Sequence, residues 1–409
     1  MNAVPPSLWT NRNYRSLFAA SAATNLGDGL IAIALPWLAT LLTRDPLLIG
    51  LVAMARHMPW FLFALPVGVL TDRFDHRRTL IAADGLRVGL ALAVVALALS
   101  GQKGTGAVLL LAGLAFLLGA VEVLRDNTAQ TFLPALVGRD QLEQANGLLW
   151  STEQVAGQFI GPPLAGVLIG FAIALPFGAQ AAVLALAMAL VTTITLPRSA
   201  RGAPQAFGPA LKEGLAWLWA HPVLRRLALA LGVFNFAGGM FWAFIVLYAQ
   251  DVLGLDATGY GLLMAAVAGG GLAGSLIGPA ILRRTGAKAG LLMGLSGHVA
   301  AALTMGVSQS VWLVGAMLMV NAFTALLWNI TTVSYRQRHI PGPLLGRVNA
   351  AYRFFGTGPE GFGALAGGVL VGVAAPLGPV MALQSLYLAS AAAVALTAVY
   401  ITRHLNIQT

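Results

Sequence analysis

Gly68-Val69-Leu70-Thr71-Asp72-Arg73-Phe74-Asp75-His76-Arg77-Arg78 is a short, strongly charged passage between two long apolar runs. Upstream, 47–71 carries one arginine, Arg56, in an otherwise apolar stretch; downstream, 78–100 carries only Arg78, Asp84 and Arg87. A helix of about 20 apolar residues crosses the roughly 30 Å hydrocarbon core of a bilayer. The two runs therefore read as a helical hairpin whose charged turn stays in water. The same alternation continues in both directions. Spans are predicted at 14–42, 47–71, 78–100, 106–132, 144–170 and 174–196, then at 224–250, 258–282, 287–308, 311–335, 346–374 and 379–402. The expected organisation is an N-terminal six-helix half (1–196), a polar linker (197–223) and a C-terminal six-helix half (224–409).

Composition agrees. Of 409 residues, 9% are charged and 58% hydrophobic, against roughly 25% charged in soluble domains. Too few charges are present to tile a water-exposed surface, and the hydrophobicity excludes intrinsic disorder. The alternating ten-residue segments of a membrane β-barrel are absent. The chain has no cysteine, which excludes disulfides, thiol nucleophiles and cysteine-ligated metals. The net charge of +10 suggests nucleic acid until the positions of the cations are considered. With the N-terminus in the cytoplasm, every loop lysine and arginine falls on the inner side except Arg44 and Lys103. This is the positive-inside asymmetry. Both termini are expected inside a bacterial-type cytoplasmic membrane, with lipid and no nucleic acid as surroundings.

The halves echo one another. Gln144-Ala145-Asn146 before helix five has a counterpart in Arg347-Val348-Asn349-Ala350 before helix eleven, and Ala165-Gly166-Val167-Leu168-Ile169-Gly170 in Gly367-Gly368-Val369-Leu370-Val371-Gly372. Two repeated halves imply a binding site at their interface near the bilayer midplane.

The 68–78 passage resembles the signature loop of the major facilitator superfamily, with His76 where a closing arginine is usual. The resemblance implies twelve helices in two six-helix halves, and a conformational latch built from Gly68, Asp72, Arg73, Arg77 and Arg78, with Asp126 as partner. Independently, Asp72 at the negative end of a helix is unfavourable without a cationic partner. Helix five carries Gly157-x-x-x-Gly161-Pro162-x-x-Ala165-Gly166, similar to the family's antiporter motif, with Ala165 in place of a glycine. Small residues four apart allow close helix contact, and Pro162 should bend the helix. The stretches Leu211-Lys212-Glu213-Gly214-Leu215, His221-Pro222-Val223-Leu224-Arg225 and Arg336-Gln337-Arg338-His339-Ile340-Pro341 resemble the branch holding enterobactin exporters and macrolide-efflux proteins. That branch implies export of small molecules by proton antiport. Within the linker, Leu211, Leu215, Leu218 and Trp219 fit an amphipathic helix on the membrane surface.

Ionisable side chains within spans are costly and are functional candidates. The acids are Asp28, Asp84, Glu122, Asp126, Glu153 and Glu360; the bases are Arg56, Arg87, Arg125 and Arg353. Ser21, Asn25 and Asp28 form one stripe on helix one, expected to face the cavity. Arg56 is the expected partner of Asp28, and Arg125 of Glu122. Asp28 and Glu122 are the candidate proton carriers. Asp84, Arg87 and Glu153 read as a structural group, and Arg353 and Glu360, flanking Gly358-Pro359, as a gating pair. Candidate substrate contacts are Asn25, Asp28, Arg56, Arg125, Asn235, Trp242, Asn321 and Trp328. His57 and His298 read as packing residues.

These features lead to a secondary active transporter rather than an enzyme: no nucleophile–base pair or metal triad shares one depth. No cofactor is expected, the proton gradient being the driving force, and no nucleotide-binding Gly-x-x-x-x-Gly-Lys-Ser/Thr loop is present. The leading expectation is a monomeric proton-coupled exporter of a small organic molecule such as a drug or siderophore. The alternative is a lysophospholipid flippase or uniporter on the same fold.

Overall fold

The computed structural model describes residues 8–71, 74–138, 141–195 and 207–405. Helices one to six are Arg12–Leu42, Pro46–Thr71, His76–Leu99, Thr105–Leu136, Leu142–Phe171 and Leu175–Thr192. A linker helix, Phe207–Ala220, follows. Helices seven to twelve are Pro222–Asp251, Ala257–Thr285, Ala287–Val307, Val311–His339, Gly342–Val373 and Pro379–His404. Among the described residues, 11 helices are long and apolar enough to cross a membrane. Helix eleven, of 32 residues, brings the layout to twelve. The chain is a multi-pass, all-α membrane protein.

Side chains stop and start the helices where the sequence changes character. Asn11, Asp75, Asp256 and Ser310 each accept a hydrogen bond from the backbone N–H three residues on, capping helices one, three, eight and ten. Gly286 and Gly378 take positive φ (82° and 91°) between consecutive helices, a conformation that glycine adopts without penalty. His76, the departure from the signature loop, opens helix three and stacks on Phe132 of helix four at 5.7 Å. Asp72 and Arg73 lie outside the described residues, as do Arg139 and Asp140.

Each half repeats one packing scheme. Helix one packs on six as seven packs on twelve; two on four as eight on ten; three on four and six as nine on ten and twelve. The halves meet along two main seams, helix two against eleven and helix five against eight, which the repeat interconverts. Small residues make both seams close. A Cβ at Gly166 would lie 2.6 Å from the Ala257 carbonyl oxygen, and one at Gly50 2.7 Å from that of Ala364.

The helix-packing motif serves two contacts. Gly157 and Gly161 bring helix five against helix one of their own half, a Cβ at Gly161 falling 2.6 Å from the Gly29 Cα. Gly166 faces helix eight of the other half. Residues Glu153–Ile160 run as a π-helix just before Pro162. Proline donates no N–H and its ring crowds the carbonyl four residues back, so the wider winding accommodates it in place of a simple bend.

The linker helix has Leu218 buried and Trp219 exposed. It packs on helix eleven, where Glu213 pairs with Arg347.

Overpacking the helix one–five crossing is expected to cost roughly 1–3 kcal/mol. Gly161→Val should lower the melting temperature in detergent by several degrees, whereas Gly89→Val, where an added Cβ meets nothing within 4 Å, should leave it nearly unchanged. Equal melting of the two variants would contradict the crossing.

Candidate functional site

A cavity of about 470 Å³ lies between the halves. Helices two, four and five contribute Arg56, His57, Trp60, Glu122 and Gln158; helices seven, eight and eleven contribute Trp242, Tyr260, Met264 and Glu360. The walls are mainly apolar and aromatic, with a few converging charges, the usual make-up of a small-molecule site. Gln158 comes from the π-helical turn. A second cavity of about 120 Å³ adjoins the first, lined by Asn235, His298, Asn321, Trp242 and Glu360. Trp242 and Glu360 border both.

On the face opposite the chain termini the halves are fastened. Arg44 at the end of helix one pairs with Asp251 at the end of helix seven (3.2 Å) and donates to Gln250 (3.0 Å). Gln250 in turn donates to Thr40 (3.0 Å). Just below, the rings of Trp37 and Tyr260 lie 5.9 Å apart. Nearer the midplane, Phe61 of helix two stacks on Phe354 of helix eleven at 4.6 Å.

Behind the cavity, the N-terminal half buries an ion network. Arg56 donates to Glu122 at 2.5 Å. Arg87, fully buried, pairs with Asp28 and lies 3.8 Å from Glu122. Arg125 lies 3.6 Å from buried Asp84 and 3.5 Å from Asp126. The partners thus differ from the expected ones. Asp28 is held by Arg87, not Arg56, and Glu122 by Arg56 and Arg87, not Arg125. The reason is helix spacing. Gly119 sits against the backbone of Arg56, where a Cβ would lie 2.9 Å from the Arg56 carbonyl. Glu122, one turn further on helix four, then falls within reach of the guanidinium. Glu153, expected beside Asp84 and Arg87, lies exposed at the start of the π-helix.

Of the expected substrate contacts, Arg56, Trp242, Asn235 and Asn321 line the two cavities. Asp28 and Arg125 belong to the network behind. Asn25 donates instead to Thr152 (2.7 Å), tying helix one to helix five. Trp328 is buried against Phe234, ring centroids 5.6 Å apart, and is a packing residue. Asn235 also donates to the Gly356 carbonyl (2.7 Å). His298 packs as expected, bonded to Ser390 at 2.9 Å. His57 does not: it faces the cavity, 3.9 Å from Glu360. Its partner is distant in sequence, so only packing brings the pair together. The Arg353 side chain lies outside what is described. Of the expected latch, Gly68 lies within helix two. Arg77 donates to the carbonyls of Val191 and Thr192 at the end of helix six, Arg78 is exposed, and Asp126 faces Arg125.

Residues 5–408 match the family described as transmembrane secretion effector, a group of major facilitator transporters. The chain belongs to this family. It is 27% identical to the enterobactin exporter of Citrobacter koseri over 358 residues, covering 84% of this chain and 82% of that protein. Its backbone matches a bacterial homologue of the iron transporter ferroportin in the inward-facing state with a TM-score of 0.78 (17% identity, 96% of this chain and 98% of that chain). Against the outward-facing state of a bacterial ferroportin homologue the TM-score is 0.62 (18% identity, 95% and 98%). The family identifies the chain as a transporter and not an enzyme.

Removing one member of a buried ion pair strands the other at a cost of about 3–5 kcal/mol. Arg87→Leu should therefore sharply lower the melting temperature, and Arg87→Leu with Asp28→Leu should recover much of the loss. A double variant no more stable than the single one would contradict the pairing.

Proposed function

We propose that the protein exports a small organic molecule across a bacterial inner membrane in exchange for protons, by alternating access. The carrying observation is the cavity walled by both halves and fastened on the face opposite the termini by Arg44, Gln250 and Asp251. With the termini in the cytoplasm, as the loop charges indicate, this arrangement is the one that takes substrate from inside. The halves, 1–196 and 224–409, rock about the helix two–eleven and five–eight seams, whose glycine contacts permit sliding. One copy supplies the whole cavity and works as a monomer.

Exchange for protons is supported by the charge balance of the buried network. Among the described residues, Asp28, Asp84, Glu122 and Asp126 share only Arg56, Arg87 and Arg125. An uncompensated charge at this depth is costly, and one bound proton removes it. Glu122 is the member that also lines the cavity, through its bond to Arg56, so it links the network to whatever the cavity holds. Asp28 and Glu122 are the carboxyls whose proton we expect to exchange. The latch reading of the 68–78 loop accompanies this cycle: Asp72, with Arg73, engages only when the cytoplasmic side closes, while Arg77 stays on helix six.

Purified protein in liposomes, given an imposed pH gradient, should accumulate enterobactin or ethidium uphill, and a protonophore should abolish the accumulation. Flux indifferent to the gradient would overturn the proton exchange. Asp28→Asn should lose uphill accumulation and keep downhill exchange at equal pH.

Asp72→Asn, correctly inserted and folded, should lose both modes, because the partner it removes is needed in one state of the cycle. Wild-type flux in that variant would reduce the loop to a membrane anchor.

A further inference from the structure

Glu360 occupies an unusual position. Among the described residues it is the one ionisable group that borders both cavities, and it lies at a seam between the halves. Its carboxylate and the His57 imidazole remain partly open to the cavity, with side-chain exposures of 30% and 46%. Among the described residues its ion partner is His57, at 3.9 Å, a separation beyond hydrogen-bond length. The other acid of the cavity wall is already neutralised: Glu122 accepts from Arg56 at 2.5 Å. Around Glu360, helix seven presents Trp242 and Asn235, helix eight Tyr260, helix nine His298, and helix ten Asn321. His298 is engaged with Ser390. Asn321, 3% exposed, keeps its side-chain oxygen without a protein partner among the described residues. Among the described residues the surroundings of Glu360 thus offer acceptors and aromatic faces, with no cation in contact other than a protonated His57; Arg56, on the same cavity wall, is held by Glu122.

The geometry points to Glu360 as the counter-ion of a monovalent organic cation with an aromatic or apolar body, for which it competes with the protonated His57. The inference rests on the exporter reading and names the substrate class for its cavity. Trp60 and Trp242 supply ring faces that attract a cation, and the volume of about 470 Å³ suits a drug-sized body. In the empty cavity an imidazolium at His57 faces the Glu360 carboxylate. When the organic cation takes the carboxylate, the imidazolium loses its partner and releases its proton to water. On the acidic side of the membrane the reverse occurs: His57 takes up a proton, reclaims Glu360 and expels the cation. Substrate and proton then oppose each other at Glu360, a reciprocal coupling within the cavity that acts beside the proton exchange of Asp28 and Glu122.

Tetraphenylphosphonium and tetraphenylborate share size and shape and differ in the sign of their charge. Binding of each to the purified protein, followed by quenching of tryptophan fluorescence and by calorimetry, should favour the phosphonium by about tenfold or more. Its affinity should fall as the medium is acidified, and binding in weak buffer should release protons. Glu360→Gln should weaken phosphonium binding by about tenfold or more. His57→Gln should retain binding but lose the proton release and the pH dependence. Equal affinity for the borate, unchanged binding by Glu360→Gln, or binding without proton release would overturn the inference. The wild-type comparison stands even if a variant fails to fold. Uphill flux of enterobactin in liposomes that ignore the phosphonium would overturn this inference and leave the exporter reading intact. Phosphonium binding with proton release but without gradient-driven flux of any probe would do the opposite.

Discussion

Burial of charge in a low-dielectric interior is the constraint on which the rest of this structure depends. Four carboxyls and three guanidinium groups form one ion network among the N-terminal six helices. Each ion removed from water costs several kcal/mol unless a partner repays it. The helices that carry these groups must therefore sit where the partners meet, and Gly119 is the means for one of them. By admitting helix four against the backbone of helix two, it sets Glu122 opposite Arg56. The arrangement is tight at its centre and loose at one edge. Arg56 and Glu122 are in hydrogen-bond contact, while Arg125 stands about equally far from Asp84 and Asp126 and bonds neither closely.

The two halves divide the work unequally. The N-terminal half holds the buried network, whereas the C-terminal half gives the cavity aromatic rings, amides and the single carboxyl of Glu360. A seam crossed by rigid ion pairs would resist rocking. The main seams are instead lined by small residues and rings: Gly166 on Gly261, Gly50 on Ala364, Phe61 on Phe354. Of the two charge pairs that cross between halves among the described residues, His57 with Glu360 stands at 3.9 Å, and Arg44 with Asp251 at the far face is solvent-exposed at its arginine. Exposed pairs contribute about 0–1 kcal/mol, so this fastener can open without a large barrier.

The spans and their number were legible because hydropathy and loop charge are one-dimensional signals. Asp84 and Arg87 were legible as charges within spans, and both are buried. Partner choice was not. Asp28 can be met by any arginine at its depth, and only the tertiary packing selects Arg87 over Arg56. The glycines of helix five announced close contact, but nothing local states that Gly161 meets helix one while Gly166 meets helix eight. Trp242 and Trp328 look alike as indoles on polar stripes. One lines both cavities and the other is sealed behind Phe234, a difference set by how helices seven and ten are rotated.

His57 shows the limit most clearly. Beside Arg56 in an apolar run it has no sequence neighbour to pair with, and a solitary histidine in such a run reads as packing. Its counterpart, Glu360, lies in the other half, and the two become a pair only because helices two and eleven form a seam. That seam joins the two halves of the chain. A charge pair placed across it depends on the position of one half against the other, whereas the Arg87–Asp28 pair lies wholly inside one half. Sites that read conformation are therefore built from residues remote in sequence, and sites that hold a half together from residues whose helices never separate.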